Sequence, residues 1–245
     1  MEVHHHAHHE GKKSWRSYFW EFLMLFLAVF CGFLAEYQLE HVIEHNREKQ
    51  FIRTFVEDLK ADTTAITRNI QYRKEKLMQL DSLMLLLREQ KIKGNENDLY
   101  YLGRILVRTN RFQSNDRTII QLKNSGSLRL IRNEEAADSM VSYQKLVEII
   151  MVNQEDEHDE RNKAYDVVSK MFNPFVFDNM LSINGVSRPV NNPPLRTYDP
   201  NVQMDLAACV HTIKGSTYLI ESRLELLHGK AKDLISFLTK EYNIE

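Results

Sequence analysis

The chain has 245 residues, 43% of them hydrophobic, and a formal net charge of −2 at pH 7. This length suffices for an apolar segment and one further domain with a buried core, but not for a second full domain. Because no long block of one charge sign occurs, the composition argues against a protein that binds DNA or RNA.

Five histidines, His4, His5, His6, His8 and His9, lie within the first ten residues. Clustered neutral imidazoles bind zinc or another divalent transition metal, so this tract is a candidate metal site. The alternative is a tail or purification tag that holds no metal in the cell. We predict that residues 1–17 form a histidine-rich cytoplasmic tail.

Residues 18–37, YFWEFLMLFLAVFCGFLAEY, are apolar on all sides of a helix. Such a helix is roughly 30 Å long, which matches the thickness of the hydrocarbon core of a lipid bilayer. Aromatic residues at both ends and basic residues before Tyr18 are typical of a membrane span, so we predict one uncleaved transmembrane helix. A cleaved signal peptide and a buried helix of a soluble protein are the alternatives.

The residues beside the span indicate its orientation. Lys12, Lys13 and Arg16 precede it, whereas the first basic residue after it is Arg47. The positive-inside rule therefore predicts a cytoplasmic N-terminus and an extracytoplasmic bulk. Within the span, Ala28 and Gly32 form a small-xxx-small pair that lets two helices approach closely, so we expect a homodimer or an envelope protein partner.

The remainder of the chain has helical periodicity. Residues 38–92 contain neither glycine nor proline, and apolar residues recur there at alternating spacings of three and four. Similar patterns occupy residues 134–172 and the stretch after Pro200, and all five prolines fall in 173–200. We predict an all-α fold: a transmembrane helix continuing into an elongated antiparallel bundle of three long helices plus short helices over residues 38–245. The proline-rich loop is either a docking surface or disordered.

Two further groups of residues, both in the helical part of the chain, are candidate sites. His41 and His45 fit H-x-x-E-H with Glu44 between them, the order of an inverted zinc-peptidase motif, although a solvated or metal-binding stalk helix is the preferred interpretation.

Polar residues also interrupt the apolar seams of two helices, at Arg73 and at Gln154, His158 and Arg161. If Arg73 lies level with the other three, they could bind an anion or small ligand inside the bundle. The alternative is a polar layer that fixes helix register. The acidic run from Glu155 to Glu160 is expected to be a solvated face.

Residues 18–41, 47–63 and 117–144 read YFWEFLMLFLAVFCGFLAEYQLEH, REKQFIRTFVEDLKADT and RTIIQLKNSGSLRLIRNEEAADSMVSYQ. These stretches resemble an uncharacterised family of Gram-negative bacterial single-pass membrane proteins, known only as a domain of unknown function. The resemblance covers about residues 15–172 and implies one N-terminal anchor and a mostly helical domain. It transfers no catalytic residue. Combined with the orientation that the flanking charges indicate, a protein of this kind is expected in the bacterial inner membrane, with the bulk of the chain periplasmic.

These observations lead to one functional hypothesis and one alternative. The first is a membrane-anchored interaction, sensory or scaffold module that is not an enzyme and needs no cofactor. The alternative is a metal-binding protein that uses the histidine tail or His41 and His45, and a zinc hydrolase is the least expected form of it.

Overall fold

A computed structural model describes residues 14–183 and 185–244 of the chain. The fold is 80% helical, which confirms the predicted all-α class. Its helices are α1 Trp15–Arg88, α2 Glu96–Leu106, α3 Arg117–Asn124, α4 Glu134–Met171, α5 Pro174–Asn179 and α6 Pro200–Tyr242, with a 3₁₀ turn at Ser127–Leu130. Strands β1 Leu181–Ser182 and β2 Gly185–Val186 pair antiparallel in a short hairpin.

Side-chain caps begin two of the predicted helices, and a glycine follows the end of a third. The side chain of Asn133 accepts a hydrogen bond from the backbone N–H of Ala136, which confirms the predicted start of α4. At α6 the side chain of Asp199 caps the N–H of Asn201, and Pro200 occupies the first turn, where its missing N–H costs nothing. Gly126 ends the α3 region in the left-handed conformation, with φ of 66°.

Contacts divide the chain into two compact units, Met1–Gln50 and Phe51–Glu245. The boundary falls inside α1, which is one uninterrupted helix of 74 residues. In the described part of the first unit, the apolar side chains of residues 18–37 are almost all exposed; Phe22, for example, is 64% exposed. Among the described residues, α1 is the one helix long and apolar enough to cross a membrane.

The second unit is a bundle of four legs, each a long helix or a run of shorter elements, and consecutive legs point in opposite directions. Tyr143 and Glu157 of α4 bond to Asp62 and Arg73 of α1, so these two helices run parallel. The return leg between them consists of α2, the non-helical residues 107–116 and α3.

The fourth leg, α6, runs opposite to both α1 and α4. His228 lies beside Thr67 of α1 and Lys214 beside Asp81, which sets α6 antiparallel to α1. Consecutive legs are therefore antiparallel, as predicted, and the three long helices of the prediction are α1, α4 and α6.

Two apolar clusters fill the bundle. The first gathers the residues of α1 around Ile52–Ile66, the first half of α4 and the second half of α6. The second gathers the end of α1, α2, the end of α4 and the start of α6. Buried polar side chains lie between the two clusters on all three long helices, and this polar layer is the candidate site.

Candidate functional site

The polar layer, as named here, is the set of buried polar residues between the two apolar clusters: Asn69, Arg73, Lys76, Gln154, Glu157 and Thr217. They come from three helices, and each occupies a position that faces the bundle interior. Because unpaired polar groups in an apolar interior are costly, each must find a partner within the protein.

An ion pair between α1 and α4 lies at the centre of the polar layer. The two terminal guanidinium nitrogens of Arg73 donate to the two carboxylate oxygens of Glu157 over 3.1 and 3.2 Å. The Nε of Arg73 donates to the side chain of Asn69 over 3.1 Å, so each of the three guanidinium nitrogens has a hydrogen bond. The hydroxyl of Thr109 also donates to Glu157. The hydroxyl of Thr217 donates to the carbonyl of Ile213 over 2.7 Å and lies 3.4 Å from Glu157 Oε1. Planar two-point pairing of this kind fixes both distance and orientation.

The charges of the polar layer shift each other's protonation. Burial alone would raise the pKa of Glu157, but the charges of Arg73 and Lys76, with hydrogen bonds from Arg73 and Thr109, lower it below its ordinary value. Burial lowers the pKa of Lys76 to about 8, although Glu157 opposes that shift. The Nζ of Lys76 lies 3.8 Å from the nearer Glu157 oxygen. The Glu157 carboxylate thus balances the buried positive charges of both Arg73 and Lys76.

The polar layer also holds the non-helical segment 107–116 in place. The side-chain amide of Gln154 accepts from the backbone N–H of Phe112 over 2.7 Å and donates to the carbonyl of the same residue over 3.0 Å. Lys76 donates to the carbonyl of Arg108 over 2.7 Å, and Asn69 donates to the carbonyl of Asn110 over 2.9 Å. These side chains replace the backbone bonds that a helix would make for itself.

A second group of acids on α1 anchors the start of α3. Asp58 accepts from both the backbone N–H and the hydroxyl of Thr118, and so caps α3 from another helix. Asp62 accepts from the backbone and side chain of Asn115 and from the hydroxyl of Tyr143. Burial raises the pKa of Asp62, because hydrogen bonds only partly offset the loss of water.

Along α4, the predicted ligand-site residues Gln154, His158 and Arg161 lie within about one helical turn of Glu157, the partner of Arg73. Arg73 pairs with Glu157, one helical turn from Gln154, and His158 Nδ1 lies 3.0 Å from Arg161 Nη2. The bonds of Arg73 and Gln154 go to protein groups, as the register-fixing alternative expects. Arg161 differs, because its buried Nε has no hydrogen-bond partner among the described residues. Ligand binding here stays a prediction.

The sequence interpretation missed Glu157, at the centre of the polar layer, and also Asn69 and Lys76. The acidic run from Glu155 to Glu160 was expected to face solvent, yet Glu157 is only 1% exposed. The buried residues Val147, Ile150, Gln154, Glu157, Ala164 and Val168 follow a strict alternation of three and four, with Arg161 in the remaining position. That phase places Glu157 in the seam, so the heptad pattern was the signal that could have identified it.

The histidine motif on α1 has simple local contacts. The ring of His41 packs edge-on against Tyr37 with centroids 4.3 Å apart, and His45 Nδ1 lies 3.8 Å from the carboxylate of Glu48. Within residues 14–183 and 185–244, no group of three or more His, Cys, Asp or Glu side chains could hold a metal ion. The histidines of the tail, His4 to His9, lie outside the described residues. Metal binding stays a prediction.

The predicted span pair Ala28 and Gly32 is exposed on α1, and a Cβ placed on Gly32 would meet nothing within 4 Å. Close approach of a second helix at this position stays a prediction.

The proline-rich loop is bound to α2. The backbone of Asn97 donates to the Asn192 side chain over 3.2 Å, and the backbone of Asn192 donates to the Asn97 side chain over 3.0 Å. The hydroxyl of Tyr100 donates to the carbonyl of Pro194 and accepts from the N–H of Asn173. The structure therefore gives this loop a defined path, and its use as a docking surface stays a prediction.

Comparison of the chain with protein-family models, with curated proteins and with solved structures finds no match.

Proposed function

We propose that the chain is a single-pass inner-membrane protein whose helical bundle is a periplasmic interaction, sensory or scaffold module. The observation that carries this proposal is the continuity of α1. One helix contains both the exposed apolar stretch of residues 18–37 and, from Ile52 onward, the seam that the bundle buries.

Exposed apolar side chains on every face of a helix are costly in water, and a bilayer removes that cost. The length of residues 18–37 fits one crossing. Because α1 continues without a break to Arg88, cleavage after the apolar stretch would remove the start of a long helix, which favours an anchor over a cleaved signal. The basic residues before Tyr18 support a cytoplasmic N-terminus.

The interior of the bundle supports a scaffold rather than a loosely packed domain. The Arg73–Glu157 pair joins α1 to α4, and the Gln154–Phe112 bonds join α4 to the non-helical segment 107–116. These bonds fix the alignment of the three segments along the bundle. A rigid bundle on a membrane helix can present its surface to a partner or to a second copy of the chain.

Carbonate extraction of membranes tests the anchor. The full chain is expected to stay in the membrane pellet. A variant with Leu27→Arg and Phe30→Arg should be lost from it, because charges at the centre of a span are costly. The matched control, Leu39→Arg with Val42→Arg, changes exposed residues beyond the predicted span and should stay in the pellet. Release of the unmodified chain by carbonate would reject the anchor.

Cysteine labelling tests the orientation. With Cys31 and Cys209 replaced by serine, a Gln121→Cys variant places one exposed thiol on α3. A membrane-impermeant maleimide should label it in spheroplasts before lysis. Labelling only after lysis would place the bundle in the cytoplasm and overturn the periplasmic part of the proposal.

Crosslinking in the intact membrane tests the interaction module. A second chain or an envelope protein should be captured reproducibly with the bundle. A chain that remains monomeric and alone under conditions that crosslink a known membrane complex would contradict the proposal.

A further inference from the structure

A groove of about 650 Å³ lies between the end of α1 and the start of α6. Its apolar lining consists of Met84, Leu87, Ile92, Tyr198, Pro200, Met204 and Ala207. Leu87 and Ile92 belong to the second apolar cluster, whereas Met204 is 71% exposed. The volume falls in the range of small-molecule sites, roughly 300–1,000 Å³. Flexible methionine side chains on both walls can adapt to an apolar chain.

The charged residues that line the groove all have the same sign. Arg88 and Lys93 line it, and no carboxylate does. Both cations are exposed, and neither forms an ion pair within residues 14–183 and 185–244. Lys93 lies over the ring of Tyr198, with its Nζ 5.9 Å from the ring centroid.

Several acids close in sequence to the groove residues have partners within the protein, including Asp199, whose side chain accepts from the backbone N–H of Asn201. The carboxylate of Glu89 pairs with Lys91 over 2.7 Å. Glu96 is buried, and its carboxylate accepts from the N–H of Gly94 and from the hydroxyl of Tyr198. The two groove cations therefore remain available for a negative ligand.

Hydrogen bonds within the protein hold the walls of the groove in place. The end of α1 closes with a hydrogen bond from the N–H of Lys91 to the carbonyl of Leu86, and Gln90 takes the left-handed conformation with φ of 52°. On the other wall, the side chain of Gln203 donates to the carbonyl of Tyr198 over 2.8 Å. Preorganisation of this kind reduces the cost of binding.

We propose that this groove binds an anionic amphiphile, with the apolar chain against Met84, Leu87 and Met204 and the anionic head between Arg88 and Lys93. Charge complementarity selects the head, and the apolar floor selects the chain. A free fatty carboxylate and an anionic membrane lipid share this chemistry. The site is independent of the proposed membrane anchoring, because it lies wholly in the second unit of the chain.

Photolabelling of the full chain in nanodiscs of zwitterionic lipid tests the site. The probe is dodecanoate that carries a diazirine near the end of its chain, and peptide mass spectrometry locates the label. We expect saturable labelling at Met84, Met204 or Ala207 that unlabelled dodecanoate suppresses. The matching diazirine alcohol, which lacks the charge, should label these residues about tenfold less, because it loses the charge-assisted contacts.

A pair of variants tests the role of the two cations. Arg88→Gln with Lys93→Gln should reduce labelling by the carboxylate about tenfold and leave labelling by the alcohol unchanged. The matched control, Lys60→Gln with Arg68→Gln, removes two exposed cations elsewhere on α1 and should label like the unmodified chain. Both pairs change exposed side chains, and circular dichroism verifies that the helices are retained.

Nanodiscs that contain phosphatidylglycerol identify the source of the ligand. Competition by this lipid would support a lipid as the natural occupant, and undiminished labelling would support a free amphiphile. Equal labelling by the alcohol and the carboxylate, or unchanged labelling of the Arg88 and Lys93 variant, would overturn the proposal. Label confined to residues 18–37 would do the same, because it would reflect partition into the bilayer.

Discussion

Arg73 of α1 and Glu157 of α4 form a two-point ion pair across parallel helices, with both side chains almost fully buried. The pair lies between the two apolar clusters of the bundle, where polar side chains interrupt the apolar seams of both helices. A shift of either helix by one turn would bury both charges without partners, which is strongly unfavourable. The pair therefore determines how α1 and α4 align.

The first prediction concerns the energy of this pair. Glu157→Gln should lower the free energy of unfolding by about 3 kcal/mol, because Arg73 and Lys76 then share no buried anion. Arg73→Met should have a similar cost, and the double variant should be more stable than the sum of the two losses predicts by about 2 kcal/mol. Urea unfolding in detergent, followed by circular dichroism, measures the three values.

An exposed ion pair between two long helices of the bundle provides the control. Lys74 of α1 and Glu225 of α6 lie 2.9 Å apart with both side chains about half exposed. Lys74→Met with Glu225→Gln should leave the unfolding free energy nearly unchanged, because water and salt screen exposed charges. A loss as large as that of the buried pair would show that burial does not decide the effect.

The lowered pKa of Lys76 predicts that the folded state becomes more stable in mild alkali. Its pKa falls from 10.5 in the unfolded chain to about 8 in the folded one. The folded state therefore releases its proton first, and stability rises as the pH increases from about 8 toward 10.5. Relative to Lys76→Met, the unmodified chain should gain about 1–2 kcal/mol between pH 8 and 9.5. A difference that stays constant over this range would contradict the lowered pKa.

The raised pKa of Asp62 predicts that the protein gains stability in acid, whereas the lowered pKa of Lys76 predicts a gain in alkali. Because its pKa is raised in the folded state, folding takes up a proton as the pH falls toward the ordinary value of 3.8. The unmodified chain should therefore gain stability relative to Asp62→Asn on acidification from pH 7. Glu157 is common to both proteins, so its own loss of stability in acid cancels in the comparison. A decline relative to the variant would show that Asp62 is stabilised as a carboxylate.

Gln154 is predicted to hold the non-helical segment through the backbone of Phe112. Gln154→Ala leaves one buried N–H and one buried carbonyl without their partner and should cost about 2–3 kcal/mol. Hydrogen exchange of the Phe112 amide should accelerate with it. Gln144→Ala removes another buried glutamine of α4 and should not alter exchange at Phe112. Equal protection of this amide in both variants would reject the role of Gln154.

Much of the fold follows from periodicity. The seam of α1, the cap at Asn133 and the prolines before α6 predict three long helices because these signals are local. The non-helical path of residues 107–116 could not be predicted in the same way. It depends on Lys76, Asn69 and Gln154, which are distant in sequence and provide the hydrogen bonds that the segment does not make within itself.

The polar layer could be predicted only in part. Arg73 and Gln154 are visible as polar interruptions of an apolar seam, but Glu157 lies within a run of acids that looks solvated as a group. Burial separates Glu157 from Asp156 and Asp159, which face outward on the same helix. Only the phase of the heptad distinguishes these residues, because their chemistry is the same.

Gly103 of α2 is predicted to be essential for the packing of the second apolar cluster. A Cβ at this position would lie 2.7 Å from Cζ and 2.8 Å from Cε2 of Phe172. The ring cannot swing aside, because Tyr100 and Phe177 pack on it with centroids 5.1 and 5.4 Å away. Gly103→Ala should therefore cost about 1–3 kcal/mol despite the higher helix propensity of alanine.

Two comparisons separate this steric effect from helix propensity. Gly215→Ala and Gly229→Ala lie on α6 where a Cβ meets nothing within 4 Å, so each should stabilise the bundle by about 0.5–1 kcal/mol. Combining Gly103→Ala with Phe172→Leu should relieve the overlap, making the double variant more stable than the sum of the two single losses predicts. Strictly additive losses at Gly103 and Phe172 would mean that the ring does not oppose the new methyl group.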